Sequence, residues 1–459
     1  MKKHFLFLSA LALFLSSCEV FSPLSEKTGS ISIKMPEGSE RSNDVSEITS
    51  FSVELYNSDN IPVVQIDSAP GKSITFESLE PGSYAIFIKA FKPSAASCAA
   101  YGEKTGVIVK AGATTYETIT LRWVITDWTT LYAKLNDNSE DVGNIYVSGE
   151  FDVTDTIIFS GTATIIPIGS VTFTRSGSFT EDFFFLNPDS MTFKGSETAP
   201  IVFDGKKIEA SLITNCGTTT FEYCSFQNSS SSSCAPVYLS YDRDTSKTTF
   251  KSCTFTGNIG SKGGAVYIAD STTVTFSDCR FENNTSSSDG GAVYIAASAT
   301  ATFSDCIFGN ADDENLGNSC TGSYGGGGAV YATGASITLS NCEFYYNKAT
   351  GGYGNGGAIG ADSSSTVTIT VGCTFKNNAT ALLESSSTHG GALYINKSSL
   401  VLPNSGNIFE NNNEGNKTKY ILSDIYIVSS EQLGTVNGTV YDTGSYTVAK
   451  DGALTSTSQ

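Results

Sequence analysis

The sequence has few histidines and few basic residues, and each shortage excludes a class of function. Of 459 residues only two are histidine, His4 in the N-terminal leader and His389. Only His389 would remain after export, and its position is that of a variable loop residue. This argues against Ser/His/Asp and Cys/His mechanisms, which need a histidine set among partners. Lysine and arginine number 27 against 46 acidic residues, for a formal net charge of -19. No basic patch could neutralise phosphates, so nucleic acid and anionic membrane surfaces are poor partners.

Long apolar runs and helical spacing are also nearly absent. No segment after the leader approaches the roughly 20 apolar residues that span a bilayer. The 44 glycines and the Ser/Thr/Asn tracts, against only 11 prolines, indicate short strands and many turns. The composition therefore predicts an all-β protein, and the chain length predicts more than one structural unit.

The first residues have the pattern of an export leader. A charged start is followed by an apolar run over residues 5–15, too short to span a membrane, and then by Leu15-Ser16-Ser17-Cys18. This ending resembles the bacterial lipobox. The resemblance implies removal of residues 1–17, lipidation of the Cys18 thiol, a tether over 18–28 and a surface-exposed, lipid-anchored position at the cell outer membrane. The alternative is an ordinary signal peptide with an incidental cysteine.

Residues 29–123 contain short segments of alternating polarity, such as 51–55 and 84–88, separated by turn residues. This period of two predicts a small β-sandwich. In the segment 79–84, Pro81 is expected to fix φ and Gly82 to adopt a positive φ. The segment resembles the Leu-x-Pro-Gly-x-Tyr signature of prealbumin-like and carboxypeptidase-regulatory-like sandwiches.

Residues 127–136 have helical spacing, with Asp127 as a plausible N-cap. A short helix ahead of a solenoid can cover the apolar end and the unpaired strand edge of the first coil. We expect this cap helix to open a β-helix over residues 124–430, with irregular coils from Ile145 onward and a C-terminal segment at 431–459.

Internal repeats are the decisive signal. Gly-Gly-Ala plus an aliphatic residue occurs at 263, 290, 327, 356 and 390, so one unit spans 27 to 37 residues. Cys-x-Phe occurs at Cys224, Cys253, Cys279, Cys306, Cys342 and Cys373. Each unit supplies three short strands, which are stable only when coils stack about 4.8 Å apart. The repeat predicts a parallel β-helix, right-handed by the general chirality of parallel crossovers.

Superimposed units align their residues in columns. The inward columns are Val266, Val293, Val330, Ile359 and Leu393; Phe281, Phe308, Phe344, Phe375 and Phe409; and Phe221, Phe250, Phe276, Phe303 and Leu339. A further column, expected to stack its amides at a sharp corner, is Asn258, Asn284, Asn347, Asn378 and Asn412. Ser229 and Ala311 break it, which predicts two looser corners. One extra residue before Cys373 predicts a bulge in the strand 367–371.

Over residues 216–412 the repeat resembles that of the polymorphic outer-membrane proteins, known for Gly-Gly-Ala-Ile and Phe-x-x-Asn. The matching residues are Gly263-Gly264-Ala265-Val266 with Phe255 to Asn258, and so on to Phe409 with Asn412. The resemblance implies a right-handed, pectate-lyase-like β-helix displayed at a bacterial surface, often as an adhesin.

The six column cysteines admit a metal or redox array, or a buried ladder of small thiols. We favour the ladder, since neighbouring cysteines fall on successive coils without the CxxC pairs of a zinc site. No metal or cofactor is expected. Four further cysteines, Cys98, Cys216, Cys234 and Cys320, lie off the column, and spacing alone assigns them no pairing.

No residue is assigned a catalytic role. His389 stands where other units hold Lys262, Asp289, Gly326 and Asn355, as a variable loop residue would. The best carboxylate candidates are the runs 242–244 and 312–314, each inside one loop insertion. A carbohydrate-active β-helix enzyme, which would need carboxylates clustered from several coils, remains the alternative.

Five tyrosines share one position between two inward aliphatics: Tyr238, Tyr267, Tyr294, Tyr331 and Tyr394. We expect an outward stripe, interrupted at Gly360. Such a stripe can bind carbohydrate or a partner strand, or it can be a stiffening ladder covered by loops. Together with the variable loops 285–289, 309–326 and 379–389, it predicts non-catalytic adhesion to a host protein or a glycan. A structural envelope protein is the second alternative.

Overall fold

The computed structural model describes residues 28–35, 48–92, 98–136, 141–240, 247–351, 354–381, 388–403, 406–416, 419–428, 435–437, 439–440, 442–449 and 453–457. The predicted leader, Cys18 and nearly all of the tether lie outside these ranges. The chain divides into two compact units, Met1–Ala95 with Ala100–Leu121, and Ala96–Ala99 with Arg122–Gln459.

The first unit is the predicted small β-sandwich. One sheet has Gly29–Lys34 between antiparallel Ser73–Leu79 and parallel Thr114–Glu117. The other is antiparallel, in the order Pro62–Ser68, Ser50–Asn57, Gly82–Phe91 and Ala100–Val109. Alternate residues of both sheets, including Ile33, Val53 and Ile86, form one shared core.

The turn into Gly82–Phe91 differs from expectation at one residue. The Tyr84 hydroxyl donates a hydrogen bond to the Glu80 carbonyl at 2.9 Å, which stabilises the turn. The positive φ expected at Gly82 is wrong, because Gly82 is already paired with Val109 in the extended strand. The residue with a positive φ is Ser78, at 57°.

The second unit begins with the cap helix, α1, at Trp128–Leu135. The Asp127 carboxylate accepts the Thr130 N–H at 2.9 Å, as an N-cap does. Trp128, Leu131 and Leu135 are buried against the first coils. Just past the helix, the Asn136 side chain accepts the N–H of Ile158, on the edge strand Ile157–Phe159, at 2.9 Å. The end of the helix therefore provides a hydrogen-bond acceptor for a backbone N–H on the strand edge, and it also covers the core. Within the described ranges, no helix is long and apolar enough to cross a membrane.

Beyond the helix, successive coils stack in parallel register. The first sheet contains Ile157–Phe159, Phe184–Leu186, Ile213–Asn215, Val237–Leu239, Val266–Ile268, Val293–Ile295, Val330–Thr333, Ile359–Asp362, Leu393–Asn396 and Ile425–Val428, then antiparallel Gly444–Val448 and Leu454–Ser456. The second contains Arg122–Ile125, Asp141–Val153, Thr162–Arg175, Ser190–Lys194, Thr219–Glu222, Thr248–Lys251, Thr273–Ser277, Thr300–Ser304, Ser336–Ser340, Thr366–Ile369, Ser399–Val401 and Thr435–Val436, then antiparallel Thr439–Val440.

The third sheet begins with the later halves of Asp141–Val153 and Thr162–Arg175 and continues with Ile201–Asp204, Cys224–Gln227, Thr254–Thr256, Arg280–Glu282, Ile307–Phe308, Glu343–Tyr345, Thr374–Lys376 and Ile408–Glu410. The fourth contains Ser230–Ser231, Ile259–Gly260, Thr285–Ser286, Ser319–Cys320, Lys348–Ala349, Ala379–Thr380 and Asn413–Asn416, then antiparallel Lys419–Leu422. Three strands per coil were expected. The two-residue fourth strand follows the asparagine corner and was not foreseen. A short 3-10 helix, Glu314–Leu316, lies in the loop 309–318.

The predicted inward columns form the core. Neighbouring rings of the Phe281 column stack with centroids 4.6 Å apart for Phe281/Phe308 and for Phe308/Phe344, and with planes only 3 to 4° apart. Phe250 and Phe276 in the other phenylalanine column stack at 4.9 Å and 6°. Since adjacent rings are almost parallel, each coil is superimposed on the last with very little rotation.

The asparagine column is longer than expected. Its described members are Asn258, Asn284, Asn318, Asn347, Asn378 and Asn412, each with 0% exposed surface. In this coil the repeat spacing had placed Ala311 at the corner. The loop insertion 309–317 moves the corner position to Asn318. The looser corner expected at Ala311 is therefore wrong. Ser229 does break the amide column, but its N–H still donates to the Asn258 Oδ1 at 3.1 Å.

The extra residue before Cys373 lies in a turn. Thr366–Ile369 pairs with Ser336–Ser340 without a register shift. The insertion is accommodated between Ile369 and Cys373, where Val371 is 61% exposed and Gly372 has a φ of 88°. The bulge expected within the strand is thus wrong in position, because a turn absorbs an extra residue without disturbing the strand ladder.

Candidate functional site: the tyrosine face

The Gly-Gly pair positions the tyrosines by folding the chain tightly into the first sheet. Gly290 has a φ of 66°, and a Cβ there would lie 2.2 Å from the Val293 carbonyl oxygen. A Cβ on Gly291 would lie 1.9 Å from the carbonyl oxygen of Gly328 in the next coil. Only glycine fits both positions. The strand Val293–Ile295 that follows points its aliphatics inward and its tyrosine outward.

The outward side chains form the stripe that the sequence predicts. Tyr238, Tyr267, Tyr294 and Tyr331 are in parallel register. Ring centroids of successive tyrosines are 5.2, 5.1 and 5.9 Å apart, with planes 14 to 20° apart. Gly360 interrupts the stripe before Tyr394, as expected. A Cβ on Gly360 would lie 2.7 Å from the Tyr331 ring. The Tyr331 ring therefore occupies the space that a side chain at position 360 would fill.

The column extends beyond the predicted tyrosines at both ends. Tyr426 follows Tyr394 in register, with the two rings stacked at 5.9 Å. Sequence reasoning missed Tyr426 because Leu422-Ser423 replaces Gly-Gly before it, although the Ile-Tyr-Ile alternation was present. At the other end the column runs through Thr214 to Phe185 and Ile158, which are 41% and 61% exposed. We call this outward column the tyrosine face.

The last residue of each variable loop lies beside this face. In the first four of the five Gly-Gly pairs, the N–H of the first glycine donates to the carbonyl of the residue that ends the next loop. The loop-end residues are Lys262, Asp289, Gly326, Asn355 and His389. The Lys262 Nζ lies 4.9 Å from the centre of the Tyr294 ring, and the Asp289 carboxylate accepts the Gly326 N–H at 3.0 Å. The loops therefore place a different chemical group beside successive rungs of the tyrosine face.

Partial burial and nearby carboxylates keep the phenols neutral. Burial raises the pKa of Tyr294 to about 12, with Asp289 and Asp270 adding to the effect. Burial likewise raises the pKa of Tyr267 and that of Tyr394 to about 12. Burial also raises the pKa of Tyr331, which lies near both Asp289 and Asp362. The hydroxyls thus remain protonated and able to donate hydrogen bonds at neutral pH.

The tyrosine face is neither bare nor fully covered. Tyr294 is 5% exposed, and the other four predicted tyrosines are half-buried. Because the rings of Tyr238, Tyr267, Tyr294 and Tyr331 stack on one another, most ring faces are occupied within the ladder. The stacking leaves the ring edges and hydroxyls, rather than the ring faces, for contacts with other groups. The arrangement therefore favours hydrogen bonding and edge contacts with a ligand over stacking of flat groups on the rings.

His389 is the loop-end residue at the last rung. Its ring stacks on Tyr426 with centroids 3.9 Å apart, and its Nδ1 is buried without a hydrogen-bond partner. Burial lowers the pKa of His389, and the nearby Glu414 opposes that shift. The histidine is therefore packed more closely than a solvated loop residue would be.

Of the two sequence-predicted carboxylate runs, the structure describes only 312–314. The run 242–244 falls outside the described residues. In the run 312–314, Asp313 caps the 3-10 helix by accepting the Asn315 N–H at 2.9 Å, and its two neighbours are exposed. This run has a structural role in its loop.

The six column cysteines form a buried ladder, each 0 to 1% exposed. The Cys253 thiol donates to the Phe221 carbonyl of the preceding coil at 3.3 Å, and Cys342 to Phe303 at 3.4 Å. Burial raises the pKa of Cys253 well above that of an ordinary thiol. Buried, protonated thiols that donate to backbone carbonyls behave as packing residues. In the described part of the chain, His, Cys, Asp and Glu side chains form no group of three or more that could hold a metal ion.

Comparison with known proteins places this architecture in a family. Residues 209–449 match the family model described as "Right handed beta helix region", which is more than half of the chain. The comparisons with curated proteins and with solved structures gave no significant match.

Proposed function

The chain belongs to the right-handed β-helix family, and from that premise we propose that it is a surface-exposed bacterial lipoprotein whose β-helix binds a host protein or a glycan without catalysis. In this proposal Cys18 carries the lipid that holds the protein at the outer membrane, and the β-sandwich and β-helix follow it. The likeness of the repeat to that of the polymorphic outer-membrane proteins supports a surface role.

The observation that carries the proposal is the convergence of the variable loops with the tyrosine face. A purely structural solenoid needs the inward columns and the corner asparagines, but it does not need a different polar group at each loop end. Lys262, Asp289, Asn355 and His389 differ in charge and hydrogen-bonding capacity, yet they align along one face. Variation on a rigid, regular scaffold is typical of a recognition surface.

The chemistry of the face indicates how a ligand would be held. Neutral tyrosine hydroxyls run along the sheet, and the carboxylates of Asp270, Asp289 and Asp362 lie close enough to raise the pKa of individual tyrosines. The ligand we expect is rich in hydroxyl or amide groups and carries no strong negative charge. Both a neutral glycan and a protein surface meet that description.

Replacing Tyr267, Tyr294 and Tyr331 by Ser should weaken binding to the cognate glycan or matrix protein by at least about tenfold, equivalent to about 1.4 kcal/mol. The change removes three ring edges and shortens three hydroxyl-bearing side chains while leaving the inward columns intact. Binding would be measured on glycan and matrix-protein arrays, followed by titration of each hit.

The matched control replaces Thr275, Thr302 and Thr338 by Ala, because these residues point outward from the second sheet of the same three coils. This control should bind as the wild type does. Equal binding by the tyrosine variant, with the fold retained, would rule out the tyrosine face. Absence of any array ligand would favour the structural envelope role, and cleavage of an arrayed polysaccharide would favour the enzyme.

The anchoring part of the proposal has its own test. Replacing Cys18 by Ser should abolish incorporation of radiolabelled palmitate and release the protein from the membrane fraction, because the hydroxyl does not accept the diacylglycerol. Replacing Cys234, a free thiol in the β-helix, by Ser should change neither readout. Continued labelling of the Cys18→Ser variant would show that the anchor lies elsewhere.

A further inference from the structure

The C-terminal end of the β-helix is closed by a cap of antiparallel strands. Parallel stacking in the first sheet ends at Ile425–Val428, and Gly444–Val448 pairs with that strand in the antiparallel direction. The antiparallel segments Lys419–Leu422 and Thr439–Val440 close the fourth and second sheets. In these three sheets the cap strands pair with the strand edge that the last coil would otherwise present.

Two buried carboxylates join this cap to the last coil. Glu414, 2% exposed, accepts the Gly390 N–H at 2.9 Å and the Ser445 hydroxyl at 2.5 Å. Asp424, 7% exposed, accepts the Asn412 Nδ2 at 3.0 Å and the Val448 N–H at 2.9 Å. Each carboxylate therefore bonds one group of the last coils and one group of the strand Gly444–Val448.

His389 lies next to the first of these links. It immediately precedes Gly390, and its ring covers Tyr426 on the strand to which the cap strand is paired. In the described part of the chain, the titratable groups beside it are Glu414 from Asn413–Asn416, Tyr426 from Ile425–Val428 and, one rung away, Tyr394. Asp424, the second carboxylate bonded to the cap strand, lies on the turn into Ile425–Val428.

We propose that His389 makes the C-terminal cap a pH-sensitive clasp, in which uptake of a proton by its imidazole draws Glu414 away from Ser445 and loosens Gly444–Val448 from the last coil. The buried Nδ1 has no hydrogen-bond partner in the closed state. An added proton there requires either a turn of Glu414 toward the ring or departure of the ring from Tyr426. The first breaks a bond to the cap, and the second uncovers the last tyrosine of the tyrosine face.

The direction of the pH dependence follows from burial. Burial lowers the pKa of His389 from its ordinary value of 6.5, so the opened state binds the proton more tightly than the closed state. The contribution of His389 to the stability of the cap is therefore complete above pH 6.5. It is lost as the pH falls from 6.5 through the lowered pKa of the closed state. Burial raises the pKa of Asp424 above its ordinary value of 3.8. Protonation of Asp424 therefore favours the closed state at pH values between 3.8 and the raised pKa. The opening should therefore appear in mild acid.

The experiment is hydrogen–deuterium exchange on the full chain at about pH 7.5 and about pH 5.5, corrected for intrinsic exchange. Peptides covering 444–448 should exchange at least about tenfold faster at the lower pH. Peptides covering Val293–Ile295, in the middle of the same sheet, should not change. Equal corrected rates for 444–448 at the two pH values would overturn the proposal.

Two variants separate the clasp from general acid sensitivity. His389→Phe keeps a ring over Tyr426 but takes no proton, so its cap should stay protected at both pH values. If this variant does not fold, His389→Asn, which carries the side chain found at the equivalent Asn355, replaces it. Glu414→Gln removes the charge that is drawn to the imidazolium when the cap opens, so the opened state gains less from the proton and opening should move to a lower pH. The clasp is wrong if a folded His389 variant opens in acid as the wild type does.

Discussion

Replacing Gly291 by Ala should prevent the central coils of the β-helix from closing, at a cost of more than about 4 kcal/mol. The added Cβ would lie 1.9 Å from the Gly328 carbonyl oxygen and 2.7 Å from the backbone of Ser319. Both contacts are with the backbone of the next coil, so no side chain can move aside. Relief requires the coils to separate, which breaks the hydrogen bonds that Gly291 and Ala292 donate to Gly327 and Ala329.

The loss should be visible as a drop in soluble yield, a weakened β-sheet signal in circular dichroism and a lower thermal midpoint. Gly177→Ala is the matched control, because a Cβ there meets no atom within 4 Å and its φ is not positive. That variant should unfold within a few degrees of the wild type. A Gly291→Ala protein as stable as the Gly177→Ala protein would show that the coil spacing can adapt.

Such steric constraints made most of the β-helix predictable from the sequence. The repeat places glycine, phenylalanine, cysteine and asparagine at fixed positions in each unit. Aligning the units therefore showed which side chains share a column, and this predicted the core. The outward placement of Tyr267 and Tyr294 followed as well, because an outward residue must alternate with two inward aliphatics.

What the sequence missed depends on tertiary contacts that spacing does not record. Asn318 takes the corner role after an insertion, and only the stacked amides of Asn284 and Asn347 identify it. Tyr426 joins the tyrosine face without a Gly-Gly pair before it. Gly82 adopts an extended conformation because it pairs with Val109. In each case the local pattern was ambiguous, and pairing with a distant strand decided the outcome.

The degree of burial of the tyrosine face was also beyond the sequence. Alternation shows that a residue points outward, but it does not show what lies over it. In the structure Lys262 from one loop lies over Tyr294 of the next coil, and Tyr331 settles against Gly360 because that position has no side chain. Both contacts depend on which coils become neighbours and on where each loop ends.

The second large effect is expected at the asparagine corner, where replacing Asn284 by Ala should cost about 4 kcal/mol. The Asn284 Nδ2 donates to the Phe255 carbonyl at 2.8 Å and to the Asn318 Oδ1 at 2.9 Å. Its Oδ1 accepts the backbone N–H and the side-chain Nδ2 of Asn258, at 3.2 and 3.1 Å. Truncation would remove all four bonds inside a fully buried corner.

The expected cost exceeds that of one lost hydrogen bond because the partners stay buried without replacements. Phe255 loses an N–H donor to its carbonyl, and Asn258 loses an acceptor for two of its N–H groups, each costing about 1 to 3 kcal/mol when unsatisfied. Urea unfolding would measure the change. Asn283→Gly is the control, since Asn283 is exposed in the same corner at a φ of 52°, which glycine adopts readily. Similar losses in the two variants would mean that backbone conformation, and not the amide ladder, holds the corner.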